Sequence, residues 1–295
     1  MAEIIFIILA VSIRVIANPL GNVFQKQLTQ AGSHPFWVNF LTYLLLTLAC
    51  CLSLPFIEIR TLNKGFWIYS ILGGIFGAMG NGLLVKALHK GDLSILGPIN
   101  SYKAIVALIF GVFLLGEIPN IWGIIGIGII IYGSYMVLDT TEERFTPALL
   151  KNKEIQFRIG AMILTAIEAV FVKRVIISSS PTLAFYSWCA FGAIFSFIIL
   201  VVFQIRIKEN LQHLTRNTLY KLLFLGGCIA TMQLSTNFVF ERMDVSYALS
   251  LFQLSIIVSV FLGYRFFREK DIRKKIIGSA IMIVGSVMII LLKAN

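Results

Sequence analysis

The segment DLSILGPINSYKAIVALIFGVFLLGEIPNIWGIIGIGIIIYGSYMV, residues 92–137, returns without a gap as DVSYALSLFQLSIIVSVFLGYRFFREKDIRKKIIGSAIMIVGSVMI, residues 244–289. Fourteen of the 46 pairs are identical, among them Asp92 with Asp244, Ser94 with Ser246, Gly111 with Gly263 and Glu117 with Glu269. Gly126 meets Gly278, Gly133 meets Gly285 and Ser134 meets Ser286. Weaker echoes extend the duplication toward the start of each copy. Leu72-Gly73-Gly74 matches Leu225-Gly226-Gly227, and Val23-Phe24-Gln25-Lys26 matches Val170-Phe171-Val172-Lys173. The chain is one unit written twice.

Each unit is made of apolar runs about 20 residues long, the length that crosses the ~30 Å hydrocarbon layer as a helix. Of the 295 residues, 58% are apolar and 13% charged, with mean hydropathy +0.89. A soluble domain carries about 25% charged residues. The runs fall near 4–25, 36–57, 66–88, 94–116, 119–138, 157–178, 182–204, 219–241, 246–267 and 273–292. The sequence therefore predicts an all-α membrane protein of ten transmembrane helices. Residues 1–138 form the first five-helix repeat, the charged stretch 139–156 with Pro147 is a linker loop, and 157–295 form the second repeat. Five spans is an odd number, so the second copy must enter the bilayer from the opposite side. The copies are inverted repeats, an arrangement common in secondary transporters, whose substrate sites lie near the midplane between the copies.

Composition excludes several other classes. The net charge of +11 sits mostly at span ends and short loops, where it sets orientation and meets headgroups rather than nucleic acid. Cys50, Cys51, Cys189 and Cys228 lie in apolar runs without metal spacing, and His34, His89 and His213 are far apart, so no metal and no cofactor is expected. The first run lacks a basic start and contains Arg14, which reads as a retained span rather than a signal peptide. No Walker A loop, H-E-x-x-H, G-x-S-x-G or paired aspartates appear, so neither direct use of ATP nor catalysis is indicated.

Charge at the bilayer centre costs about 2.5–3.5 kcal/mol on insertion scales, so such residues face protein or water and mark candidate sites. Arg14 is central in the first span, and Asn18, Asn22 and Gln25 continue its stripe at helical spacing. Lys103 lies midway along the fourth span beside Asn100 and Tyr102; its repeat-mate is Ser255, so a shared scaffold role does not account for it. Glu168 is central in the sixth span, and two roles stay open for it: counter-ion to Arg14 or Lys103, or proton exchange with substrate. Asn81, Gln233, Asn237 and Gln253 complete a midplane ring. Two cations against one carboxylate leave a surplus positive charge, unfavourable unless a ligand neutralises it. A metabolite bearing a carboxylate or phosphate is the expected substrate, with arginine suited to bidentate recognition and lysine acting as a point charge. Alternatives are a drug or amino-acid exporter without anion preference, a flippase for lipid-linked anions, and a membrane receptor or scaffold. Protons or a counter-substrate are further candidate partners besides membrane lipid; the pattern does not choose between monomer and homodimer.

Phe113-Leu114-Leu115-Gly116-Glu117, followed by Gly126 and Gly133, resembles the signature joining the fourth and fifth helices of EamA-type members of the drug/metabolite transporter superfamily. It returns as Phe266-Phe267-Arg268-Glu269 with Gly278 and Gly285, Arg268 standing where glycine is usual. The resemblance implies a carrier in a cell (inner or plasma) membrane, its cavity walled by helices of both halves, with both termini cytoplasmic. Glu117 and Glu269, at span ends, read as structural motif residues that cap helices or brace loops. Lys and Arg counting points the other way: assigned to the nearer side, the odd-numbered loops hold 17 and the even-numbered loops and termini six, with Arg14 and Lys103 at mid-span. Under either reading the termini share a side.

Overall fold

The computed structural model describes residues 2–53, 62–90, 99–138, 151–267 and 272–292. Those residues build helices joined by short connections, with no strand among them. The first half contributes α1 (Ala2–Gln30), α2 (Pro35–Ser53), α3 (Lys64–Lys90), α4 (Lys103–Leu115) and α5 (Ile121–Leu138). The second contributes α6 (Lys153–Ser178), α7 (Pro181–Val202), a short α8 (Ile207–Gln212), α9 (Arg216–Arg242), α10 (Val245–Leu251), α11 (Ser255–Phe267) and α12 (Ile272–Leu292). Among the described residues, six helical stretches are long and apolar enough to cross a membrane, and three shorter apolar ones accompany them. Large apolar side chains such as Phe6, Trp67, Phe113, Phe224 and Phe261 stand exposed around the bundle. Soluble monomers rarely show so much contiguous apolar surface; a lipid-facing bundle does.

Local chemistry sets the helix starts. The side chains of Asn152, Ser180 and Thr215 accept from backbone N–H groups in the first turns of α6, α7 and α9, satisfying donors that no helical carbonyl reaches. Pro181 follows Ser180 at the first helical position, where a missing N–H costs nothing. Between α1 and α2, Gly32 has φ +101°, and the His213 ring packs over it. A side chain there would meet both a strained backbone and that ring.

Repeat-mates face each other head to tail. Gly126 of α5 lies against the Gly285 carbonyl of α12, and Gly133 lies against that of Gly278, so residue numbers rise in one helix as they fall in the other. On α2 and α7, Phe36 stacks with Phe203, Phe40 meets Phe197, and Ser53 hydrogen-bonds Tyr186 at 2.7 Å. Exchanging the halves turns α1 against α9 into α6 against α3, and both pairs are packed. Phe24 stacks on Phe224 in the first, while in the second Phe76 meets Phe171 and Gly80 adjoins Thr165. The exchange likewise relates α4 on α6 to α11 on α1. The two copies are thus antiparallel along these seams.

The fourth span of each copy carries a 3₁₀ turn. A 3₁₀ turn, Asn100–Tyr102, precedes α4, and another, Phe252–Leu254, separates α10 from α11. A shift of 152 superposes the two turns in sequence. Pro98 lies outside the described residues, and the second turn has no proline in it.

Glycine at the α5–α12 seam is sterically required. A Cβ on Gly133 would lie 2.6 Å from the Gly278 carbonyl oxygen, whereas one on Gly128 meets nothing within 4 Å. Gly133→Ala is expected to lose about 1–3 kcal/mol of stability through overpacking, seen as a lowered thermal midpoint in detergent, while Gly128→Ala leaves the midpoint unchanged or raises it. A second outcome concerns pH. His34, in the connection before α2, accepts from the Phe36 N–H, and burial, helped by Lys86 and His89, holds its pKa below the usual 6.5. The unfolded chain then binds this proton more readily than the folded one, so stability falls as pH drops through 6.5 toward the folded value. Acidifying from pH 7.5 to 5.5 should lower the midpoint, and His34→Gln should flatten that dependence.

Candidate functional site

Where α1, α3, α4, α6, α7, α9 and α10 converge, they enclose a cavity of about 70 Å³. Eight of the eleven residues expected to bind substrate line it: Arg14, Asn18, Asn22, Asn81, Asn100, Lys103, Glu168 and Gln233. Arg158, Thr165, Trp188 and Thr236 join them on its wall. Such a volume holds a few waters or one small polar group.

Arg14 is 7% exposed, its guanidinium lies 4.2 Å above the Phe252 ring, and its Nε is buried without a hydrogen-bond partner. Among the described residues no carboxylate or carbonyl accepts from it. The aromatic face offers a cation less than a carboxylate would, so the charge points into the cavity unbalanced. Asn18 and Asn22 continue the lining stripe along α1. Gln25, next on the same stripe, is buried outside it.

Glu168 is anchored instead. Trp188 donates its indole N–H to Oε1 at 2.6 Å, and the Trp188 ring packs on Tyr43 with centroids 4.7 Å apart. The Tyr43 hydroxyl in turn accepts from the Asn81 side chain at 2.8 Å. Lys103, at the first turn of α4, acts electrostatically on the same carboxylate. Gly77 of α3 makes room for it, since a Cβ there would overlap the Glu168 carboxylate. Gly73, Gly77 and Gly80 form one contact surface laid against α6.

Three expected residues sit elsewhere. Asn237 is fully buried, accepting from Gln233 at 3.0 Å and donating to the Pro181 carbonyl at 2.9 Å. Gln253 is 1% exposed in the second 3₁₀ turn and donates to the Leu249 carbonyl. Tyr102, in the first 3₁₀ turn, is 38% exposed. Glu117 accepts from the Val245 N–H at 2.9 Å, tying the end of α4 to the start of α10 across the halves. Gly116, with φ +70°, ends α4 in the left-handed conformation and turns the chain toward that bond. Glu269 lies outside the described residues. Lys173 donates to the Phe240 and Met243 carbonyls and Arg174 to that of Leu114. These two cations cap helix C-termini, where orphan carbonyls and the helix dipole favour them.

Arg158 escaped the sequence reading because it stands one turn inside α6 and was assigned to a loop side. Helical spacing was the available signal: Arg158, Thr165 and Glu168 form a polar stripe on α6, as Arg14, Asn18 and Asn22 do on α1. Tyr43 and Trp188 carried no signal, being aromatics inside apolar runs.

A duplicated bundle with antiparallel seams and a charged cavity walled by both halves has the form of a membrane transporter. The sequence profile of the EamA-like transporter family matches residues 2–139 and again 152–291. The chain belongs to that family, and it is a multi-pass membrane transporter of two repeats. A crystal structure described only as "Crystal structure of protein" superposes with TM-score 0.67 over 95% of this chain and 97% of that one, at 17% identity, which establishes a shared fold. No curated protein matches the chain by sequence.

Gly77→Ala is expected to displace the Glu168 carboxylate and cost about 1–3 kcal/mol. Gly73→Ala, whose Cβ would sit 3.7 Å from that of Phe171, is the control expected to retain the parental thermal midpoint.

Proposed function

We propose that the protein is a secondary carrier that moves a small metabolite bearing a carboxylate or phosphate across a cell membrane, by export or exchange, through alternating access. In this reading ten spans form two inverted five-helix repeats, and the cavity is exposed to one side and then the other as one half rocks on its mate. The observation that carries the anion preference is the buried Arg14 guanidinium without a hydrogen-bonding partner among the described residues. Lys103 and Glu168 act on one another across the cavity wall, so their charges offset. Arg14 is then left to receive the anionic group, while Asn18, Asn22, Asn81, Asn100 and Gln233 supply neutral hydrogen bonds around it. Glu168 keeps two roles in this reading, counter-charge to Lys103 or proton exchange with the substrate. Asn237 and Gln253, hydrogen-bonded to Gln233 and Leu249, act as supports for the lining.

Both termini are placed in the cytoplasm. Part of the Lys and Arg excess that opposes this placement does not face headgroups. Lys26 is 4% exposed, Arg158 lines the cavity, and Lys86 lies 4.3 Å over the Phe157 ring. Reporter fusions at Asn295 should be fluorescent in the cytoplasm and silent as a phosphatase; the converse would reverse the orientation.

Counterflow in proteoliposomes tests the substrate class. Organic anions should exchange or compete, and Arg14→Ala should weaken apparent affinity by about 30-fold or more, the equivalent of ~2 kcal/mol or above for a desolvated charge partner. Lys103→Ala should impair transport with the fold retained. Transport of lipophilic cations with no effect of organic anions would overturn the reading.

A further inference from the structure

On the outer surface of the α1–α9 seam, away from the charged cavity, a groove of about 650 Å³ runs between the two helices. Ile13, Ile16 and Leu20 form one wall; Leu223, Phe224 and Cys228 form most of the other. Below it the two helices close on one another, where Gly21 approaches the side chains of Cys228 and Ile229. Gly227 stands in the groove with nothing within 4 Å of the position its Cβ would take, so a side chain there would project into open space. From Tyr220 to Thr231 the lining spans twelve residues, whose ends stand about 16 Å apart along a helix. That matches half of the ~30 Å hydrocarbon layer, the depth of one leaflet.

The end of the groove at the start of α9 is polar and cationic. Tyr220 lines it, and its hydroxyl accepts from Arg216 Nε at 3.3 Å and Nη2 at 3.2 Å. Arg216 is exposed, Lys221 follows Tyr220, and the stretch from Arg216 to Thr231 contains no acidic residue. A guanidinium carries five donors, so contact with one hydroxyl leaves others for a phosphate.

We propose that this groove binds one anionic phospholipid, with an acyl chain between α1 and α9 and the headgroup phosphate on Arg216 and Lys221. The apolar length fits one leaflet's chain, and the charge at its mouth fits the headgroup. Because α1 belongs to one half and α9 to the other, the bound lipid fills their outer seam and steadies the packing that holds Arg14 and Gln233 on the inner side.

The test uses the full chain in detergent and needs no transport substrate, so its failure is separable from failure of the carrier reading. Phosphatidylglycerol, phosphatidylcholine with identical chains, and soluble glycerol 3-phosphate are titrated while the thermal midpoint is followed, with native mass spectrometry counting retained lipid. Phosphatidylglycerol should raise the midpoint with one copy retained, phosphatidylcholine should give less than half that rise, and glycerol 3-phosphate none. Gly227→Leu should abolish the rise with the lipid-free midpoint unchanged. Arg216→Gln should make the two lipids equivalent. Equal rises from both lipids on the parental protein, a full rise in Gly227→Leu, or a rise from glycerol 3-phosphate would each overturn the proposal.

Discussion

In hydrocarbon, apolar side chains gain little by leaving lipid for one another, so helices must be held by close backbone approach and by polar contacts. That constraint organises this protein. Between α5 and α12, and between α3 and α6, glycines remove the Cβ atoms that would keep the helices apart. Dispersion between near backbones then does what water expulsion does in a soluble core. Hydrogen bonds cross the halves where side chains allow, as from Asn39 to Ser196 at 3.0 Å and from Val245 to Glu117.

The same constraint explains how charges are distributed. Lys173 and Arg174 donate to helix-end carbonyls, and Glu168 is held by an indole and opposed by an ammonium. Each is a polar group brought out of water and given a partner inside the bundle. Arg14 alone among the cavity's sequence-predicted charges has only an aromatic face. The contrast separates charges that have a polar partner within the bundle from one that has only a ring face.

Much of this was legible beforehand because helical periodicity and duplication are both written in residue types. The repeat at a shift of 152 located the seam glycines, and the family resemblance rested on Gly116 and Glu117, whose left-handed turn and cross-half hydrogen bond give the motif a physical purpose. The charged stripes on α1 and α4 drew attention because arginine and lysine are rare at mid-span. Tyr43 and Trp188 were invisible for the opposite reason: aromatic residues in an apolar run look like lipid-facing bulk until the fold turns their polar ends inward. The second 3₁₀ turn was equally hidden, since Phe252, Gln253 and Leu254 are individually compatible with a helix. Asn237 and Gln253 show the remaining limit, as residue type and depth do not say which neighbour an amide will find.

The reciprocal seam between α5 and α12 bears on ancestry. Gly126 meets the mate of Gly133, and Gly133 meets the mate of Gly126, so the surface is its own complement after half a turn. A gene encoding only one repeat, inserted in both orientations, would already make a matched pair through such a surface. Duplication and fusion then cost no new interface, and free the copies to diverge: Lys103 and Ser255 occupy equivalent positions, and only the first brings a charge to the cavity.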